Sequence, residues 1–152
     1  MTWRRHYTHL TTASAEAVWK RWTTPEDWAV DDPDLRRADF AVPARVGAKG
    51  RVVNHGTPAQ TFTFTELQPG VAMNFRISLP GAVLSFPHRM RQTPNGLSVT
   101  HGVEVSGPLA AVFGPLVGRR IAAGLPAVVR LVTTNALADT AAAAADADSA
   151  AE

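Results

Sequence analysis

Between Gln60 and Val105 the chain alternates apolar and polar residues through four runs, divided by three turn signals: Pro69-Gly70, Pro80-Gly81 and Pro94-Asn95-Gly96. A period of two sends successive side chains to opposite faces, so the stretch predicts an antiparallel meander with one dry and one wet face. The dry parity is Phe62, Phe64; Met73, Phe75, Ile77, Leu79; Leu84, Phe86, Met90; and Leu97, Val99, Val103, Val105. Pairing about the first turn sets Phe64 opposite Phe75, and pairing about the second sets Phe75 opposite Phe86, which keeps the apolar set together. The third turn suits a type I turn with a glycine bulge; letting the apolar pattern fix its register sets Met90 beside His101.

Upstream, Trp3–Leu10 alternates loosely as a first strand does. Ser14 is placed to cap a helix over Ala15–Trp22, in which Ala15, Val18, Trp19 and Trp22 share one face and read as core. Thr24-Pro25-Glu26-Asp27 opens a second, short helix containing Trp28 that ends near Asp32-Pro33. Asp39–Val42 and Gly50–Asn54 then read as short strands joined by a loop with Pro43 and Gly47. From Leu109 to Leu137 apolar residues recur at three- and four-residue intervals, which predicts a long amphipathic helix over the dry face. Gly114-Pro115 divides off its leading turn, and Pro126 should kink it. The domain is expected over residues 1–138; residues 139–152 form an acidic, alanine-rich tail without an apolar face, expected to fray or be disordered.

Composition narrows the classes. With 152 residues, 45% hydrophobic and 18% charged, the chain has the length and make-up of one globular domain with a core. It has no cysteine, so disulfides, thiolate nucleophiles and cysteine metal sites are excluded. No apolar run of membrane-spanning length stands out and the N-terminus lacks a secretory core, so a cytoplasmic location without integral membrane association is expected. Net charge is +2, and the basic residues are arginines apart from Lys20 and Lys49. No one-faced basic helix or recognition motif accompanies them, so nucleic acid is not an expected partner. The sequence leaves the oligomeric state open.

Four polar residues fall on the dry parity: Glu66, His88, Gln92 and His101. The meander register puts Glu66 beside Met73 and then His88. Two inward histidines are the groups best suited to move a proton near neutral pH, and a neighbouring carboxylate would orient or charge His88. Against this stands the plainer reading, in which inward histidines are hydrogen-bonded packing. Tyr7 and His9 share a parity on the first strand and join the same layer. His6 and His9 lie three apart on a strand and so face opposite ways, which removes them as a metal pair; no metal site is expected. Ser85 and Ser98 sit on the wet parity without a base, and Gly47-Ala48-Lys49-Gly50 lacks both P-loop spacing and a following helix.

The order of elements, with "ASAEAVWKRW" near the start, "VGAKGRV" before the third strand, "FTELQPG" at the first hairpin and the closing "SGPLAAVFGPLVGRRIAAGLPAVVRL", resembles the SRPBCC superfamily over about residues 3–138. This is the START-like, helix-grip group, which includes polyketide cyclases/dehydrases and lipid-transfer proteins. The resemblance implies an α+β fold: a seven-stranded antiparallel sheet curled around the C-terminal helix, two short helices between strands one and two, and a cavity between sheet and helix. It also implies that Trp28 borders the cavity entrance. The expected ligand is a small hydrophobic or aromatic molecule, touched by Tyr7, His9, Trp28, Phe62, Phe64, Met73, Phe75, Leu84, Phe86, Met90 and Val103. If the protein is an enzyme, His88 and His101, with Glu66, would run a cyclisation or dehydration that needs no cofactor. The alternatives are a non-catalytic carrier or sensor, and a protein-interaction module like the chaperone-activating branch, its cavity closed by side chains.

Overall fold

The computed structural model describes residues 1–151. Strand β1 (Thr2–Thr11) leads into helices α1 (Ala15–Trp22) and α2 (Pro25–Asp31). Then come β2 (Leu35–Asp39), β3 (Lys49–Asn54), β4 (Gln60–Gln68), β5 (Ala72–Leu79), β6 (Ala82–Ser85), β7 (His88–Thr93) and β8 (Gly96–Ser106). Helix α3 (Ala110–Phe113), a π-helical turn over Gly114–Gly118 and helix α4 (Arg119–Ala151) complete the chain. The caps are those the sequence announces: Ser14 Oγ accepts the Ala17 amide at 3.1 Å, and Pro25 occupies the first turn of α2.

All strands join one antiparallel sheet in the order β1-β8-β6-β5-β4-β3-β2, and β7 lies in the lane of β6 because both pair with β5 and β8. The predicted third run is thus one lane broken at Phe86-Pro87. Proline cannot donate to a ladder, yet the Pro87 carbonyl still accepts the Gly102 amide at 2.8 Å, so the lane resumes in phase. The result is the expected seven-lane sheet gripping a C-terminal helix.

Several details differ from the sequence reading. Strand β2 covers Leu35–Asp39 rather than Asp39–Val42, with Leu35 and Ala38 buried and the chain leaving the sheet at Phe40. The Phe64–Phe75 pairing is as expected, but a bulge between Phe64 and Glu66 then brings Leu67 opposite Met73 and Glu66 opposite Asn74. One extra residue reverses the facing of everything beyond it, so Leu67 turns toward the core and Glu66 toward solvent. At the third hairpin Thr93 pairs with Gly96, which puts His88 opposite His101 and Met90 opposite Val99. The turn is tighter than expected by two residues, an even slip that moves partners without changing faces. Gln92, at the end of its strand, is exposed.

The core lies between this sheet and α1, α2 and α4. On α4 the buried positions Leu125, Val129, Val132 and Ala136 follow helical spacing. By length and composition alone Ala110–Ala151 is apolar enough to cross a membrane, a feature the sequence reading does not register. Gly114 and Gly118 let the π-helical turn sit directly on the Trp3 indole, which a Cβ on either would overlap. Helix α4 continues to Ala151, past the expected end at Leu137 and through the tail expected to fray; alanine is the strongest helix former, so the segment needs no apolar stripe to be helical. Residue 152 of that tail lies outside the described residues.

One polar network ties the helices together. Arg21, 7% exposed, donates from Nε and Nη2 to the two oxygens of Asp31 at 2.8 and 2.9 Å, and from Nη1 to Asp139 at 2.8 Å. Asn135 Nδ2 donates to the same Asp31 at 2.7 Å, so α1, α2 and α4 meet at one buried ion cluster. Burial disfavours the guanidinium charge, but the carboxylates outweigh it and raise the Arg21 pKa further. Asp31→Ala, which removes the bidentate partner and leaves this buried cation to Asp139 at 2.8 Å and Asp27 at 3.5 Å, is expected to cost roughly 3 kcal/mol in chemical denaturation. Asp139→Ala, at the half-exposed end, should cost under about 1 kcal/mol.

Candidate functional site

Two imidazoles stand side by side on the dry face. His88 begins β7 and His101 is mid-β8; their register brings the ring centroids to 4.2 Å with an interplanar angle of 52°. Trp22 covers both, at 5.3 Å from His88 and 5.6 Å from His101, and Phe75 lies 5.8 Å from His88. The hydrogen bonds fix the tautomers. Trp22 Nε1–H, a donor only, gives its proton to His101 Nε2 at 3.0 Å, so the neutral His101 carries its hydrogen on Nδ1. The Phe86 carbonyl, an acceptor only, receives a 2.7 Å bond from His88 Nδ1–H, which leaves the lone pair on His88 Nε2. Burial pushes the His88 pKa down to about 4, against the opposing pull of the Phe86 carbonyl. Burial, and then the charge His88 would carry, holds His101 well below the ordinary imidazole value. At neutral pH the site is therefore two neutral imidazoles.

From His88 a continuous set of rings extends along the sheet. Phe75 stacks on Phe86 at 4.8 Å and contacts Phe62 at 5.0 Å and Trp28 at 5.1 Å. Trp28 stacks on Phe62 at 5.4 Å and 22°, with its Nε1–H bonded to the Trp22 carbonyl at 3.0 Å. Phe64 and Phe40 close the far end. The structure thus brings Trp28, Phe62, Phe64, Phe75, Phe86, His88 and His101 into one cluster. Met73 pairs with His88, while Leu84, Met90 and Val103 are buried in the same sheet face.

Of the remaining candidates Tyr7 adjoins the pair, while His9 and Glu66 lie apart. Tyr7 is opposite His101 in the β1–β8 ladder, with the Arg130 guanidinium 5.6 Å over its ring. His9 lines a separate surface groove of about 330 Å³ with Thr12, Asn95, Thr133 and Leu137. Glu66 does not reach His88: the β4 bulge turns it outward, where it takes Arg89 at 3.0 Å and Gln68 at 2.9 Å. Two participants have no functional role in the sequence reading. That reading assigns Trp22 to the core alone, although a buried indole N–H requires an acceptor and so signals a polar partner. It places Phe40 inside an expected strand.

No protein-family model matches the sequence, and no curated protein matches it. Solved structures do. The di-domain ARO/CYC StfQ from the steffimycin biosynthetic pathway superposes with a TM-score of 0.73 at 12% identity over 94% of this chain and 53% of that one. The fold is the helix grip. Ara h 8.0201 shares it with a TM-score of 0.69 at 11% identity over 91% of this chain and 99% of that chain. Norcoclaurine synthase from Thalictrum flavum, in complex with dopamine and hydroxybenzaldehyde, does so with a TM-score of 0.68 at 14% identity over 90% and 87%.

The depressed imidazoles make stability pH-dependent. Because the folded pKa lies below the unfolded value of about 6.5, the unfolded chain binds more protons between the two, and stability falls as pH drops from about 6.5 toward 4. A shift from 6.5 to about 4 at His88 is worth roughly 3 kcal/mol. Asp27 and Asp32, raised by burial, act in the opposite sense. The comparison should therefore be with a His88→Gln, His101→Gln variant, whose stability between pH 6.5 and 4 is expected to fall by about 3 kcal/mol less than the parent's in urea titrations.

Proposed function

We propose that the protein binds a small hydrophobic or aromatic molecule between sheet and C-terminal helix, and that the imidazole pair moves a proton on it. The observation that carries this reading is the unshared lone pair of His88 Nε2 beside His101, at the end of an aromatic wall. His88, half-buried and neutral at neutral pH, has Nε2 open to accept a proton, and its low basicity makes the conjugate acid a ready donor in the return step. That suits a cycle in which His88 Nε2 takes a proton from carbon next to a carbonyl and returns it to a departing hydroxyl, with loss of water. Such a cycle is a dehydration with no net oxidation; a cyclisation uses the same proton removal, the enolate carbon then attacking a second carbonyl of the substrate whose oxygen takes the proton back from His88. His101, held by Trp22, packs against His88 at 4.2 Å, and the charge His88 takes up keeps His101 neutral. Enclosure folds the substrate. The helix-grip neighbours support the reading by analogy of fold, since one is a di-domain ARO/CYC of the steffimycin biosynthetic pathway and another holds dopamine and hydroxybenzaldehyde.

A second reading has an observation of its own. Phe62 and Phe64 are 0% and 1% exposed and the ring cluster occupies the space between the layers, the closed interior expected of a protein-interaction module. A carrier that releases its ligand unchanged stands between the two.

Titration of tryptophan fluorescence with hydroxynaphthalene ketones and fatty acids, followed by mass analysis and chromatography, separates the three. Catalysis predicts saturable quenching and a product, with turnover at least about 100-fold lower in a folded His88→Gln variant and quenching retained. Unchanged turnover in that variant would remove the imidazole from the mechanism; quenching without product supports the carrier, and no quenching supports the interaction module.

A further inference from the structure

The six rings outside the imidazole pair are not equally held. Trp28 stands on α2 with its indole N–H bonded; Phe62, Phe64 and Phe75 stand on central strands. Phe86 lies between strands, but its amide is bonded to the Phe75 carbonyl at 2.9 Å and to Asn74 Oδ1 at 3.1 Å. Phe40 alone sits on an irregular strap, residues 40–48. Among the described residues, no backbone bond outside the sheet ladders holds Phe40–Ala44; the strap is fastened at Gly47 and Ala48, which bond to Phe64. Its Val42 and Val46 are 67% and 61% exposed. Yet the Phe40 ring lies 5.0 Å from Trp28 and 5.2 Å from Phe64, inside the cluster. It is also a wall of an open groove of about 570 Å³ between α2 and β3, lined by Pro25, Glu26, Lys49, Gly50 and Arg51.

We propose that Phe40 is a replaceable stopper, and that the space its ring fills is the binding site for a planar aromatic acid entering through this groove. The proposal rests on the reading that the interior receives an aromatic molecule. A flat ligand ring takes the place of Phe40 against Trp28 and Phe64, so the ring packing given up on opening is recovered on binding. The strap moves outward as a loop without dismantling any ladder. Gly50 carries no side chain because the tip of Phe62 fills the place of its Cβ, so Phe62 backs the inner end of the groove there. The rim selects the charge: Lys49 and Arg51 have no ion-pair partner among the described residues, whereas Asp39 is held by Arg37 at 2.8 Å, leaving Glu26 as the opposing charge. A carboxylate carried by the ring would lie at this rim.

The test uses 2-naphthoate and its uncharged methyl ester, with the four tryptophan indole N–H signals followed by NMR. Naphthoate should move the Trp28 signal and leave that of Trp3 in place. Phe40→Ala should bind naphthoate one to one and at least 10-fold more tightly than the parent. A Lys49→Gln, Arg51→Gln variant should lose at least fivefold for naphthoate and nothing for the ester. Equal affinity of parent and Phe40→Ala overturns the stopper while leaving interior binding intact; no binding of either probe to either protein overturns both. If Phe40→Ala does not fold, Phe40→Leu keeps apolar volume without a ring and should bind about threefold more tightly, with no gain overturning the proposal.

Discussion

The buried guanidinium of Arg21 is the constraint on which the arrangement of the site depends. It is shared by Asp31 and Asp139, and Asn135 takes part through Asp31, so helices from the two ends of the chain are held in one relative position. The residue after Arg21 is Trp22 and the residue three before Asp31 is Trp28. The ion cluster and the two indoles are therefore fixed by the same two short helices: the charges at the junction with α4, the indoles over the sheet. An ion pair with this much desolvation contributes little net stability compared with an apolar replacement. Its value here is directional, since a bidentate guanidinium–carboxylate pair sets an orientation that apolar contact alone does not.

The aromatic interior supplies the stability that the ion cluster does not. Stacked and tilted pairs from Phe86 through Phe75 and Phe62 to Trp28 each add of order 1 kcal/mol beyond the area they bury. Two imidazoles terminate this series, and their neutrality is a consequence of it, because rings on several sides remove the water that would solvate a proton. Packing and chemistry are here one feature: the rings that hold the sheet to the helices also set the protonation state of the site.

Much of this was legible in the chain. Alternation locates the dry face from Phe62 to Val105, and the first two turns give the pairings of Phe64 with Phe75 and of Phe75 with Phe86. What escapes is anything that depends on counting residues through an irregularity. A bulge adds a residue without altering composition, so the reversal at Thr65 that turns Glu66 outward leaves no mark in the pattern. The third hairpin slips by two, which preserves parity, so alternation cannot tell Met90 from His88 as the partner of His101. The bond from Trp22 to His101 spans 79 positions and depends on how α1 lies over the sheet. Strand propensity places Phe40 in a strand because it is an apolar residue beside Ala41 and Val42, whereas the structure ends the strand one residue earlier.

Strand β1 has a single ladder partner. Its Thr2 pairs with Ser106 and its Thr11 with Leu97, while the other end of the sheet is closed by β2. During synthesis β1 emerges well before β8 and must wait for it before its amides and carbonyls are satisfied. Until then Trp3 and Tyr7 have neither the π-helical turn nor α4 to cover them. Such long-range closure is slow and leaves an adhesive edge on the nascent chain. The arginines at positions 4 and 5, exposed in the finished protein, give that waiting edge a charge that discourages another copy from pairing with it.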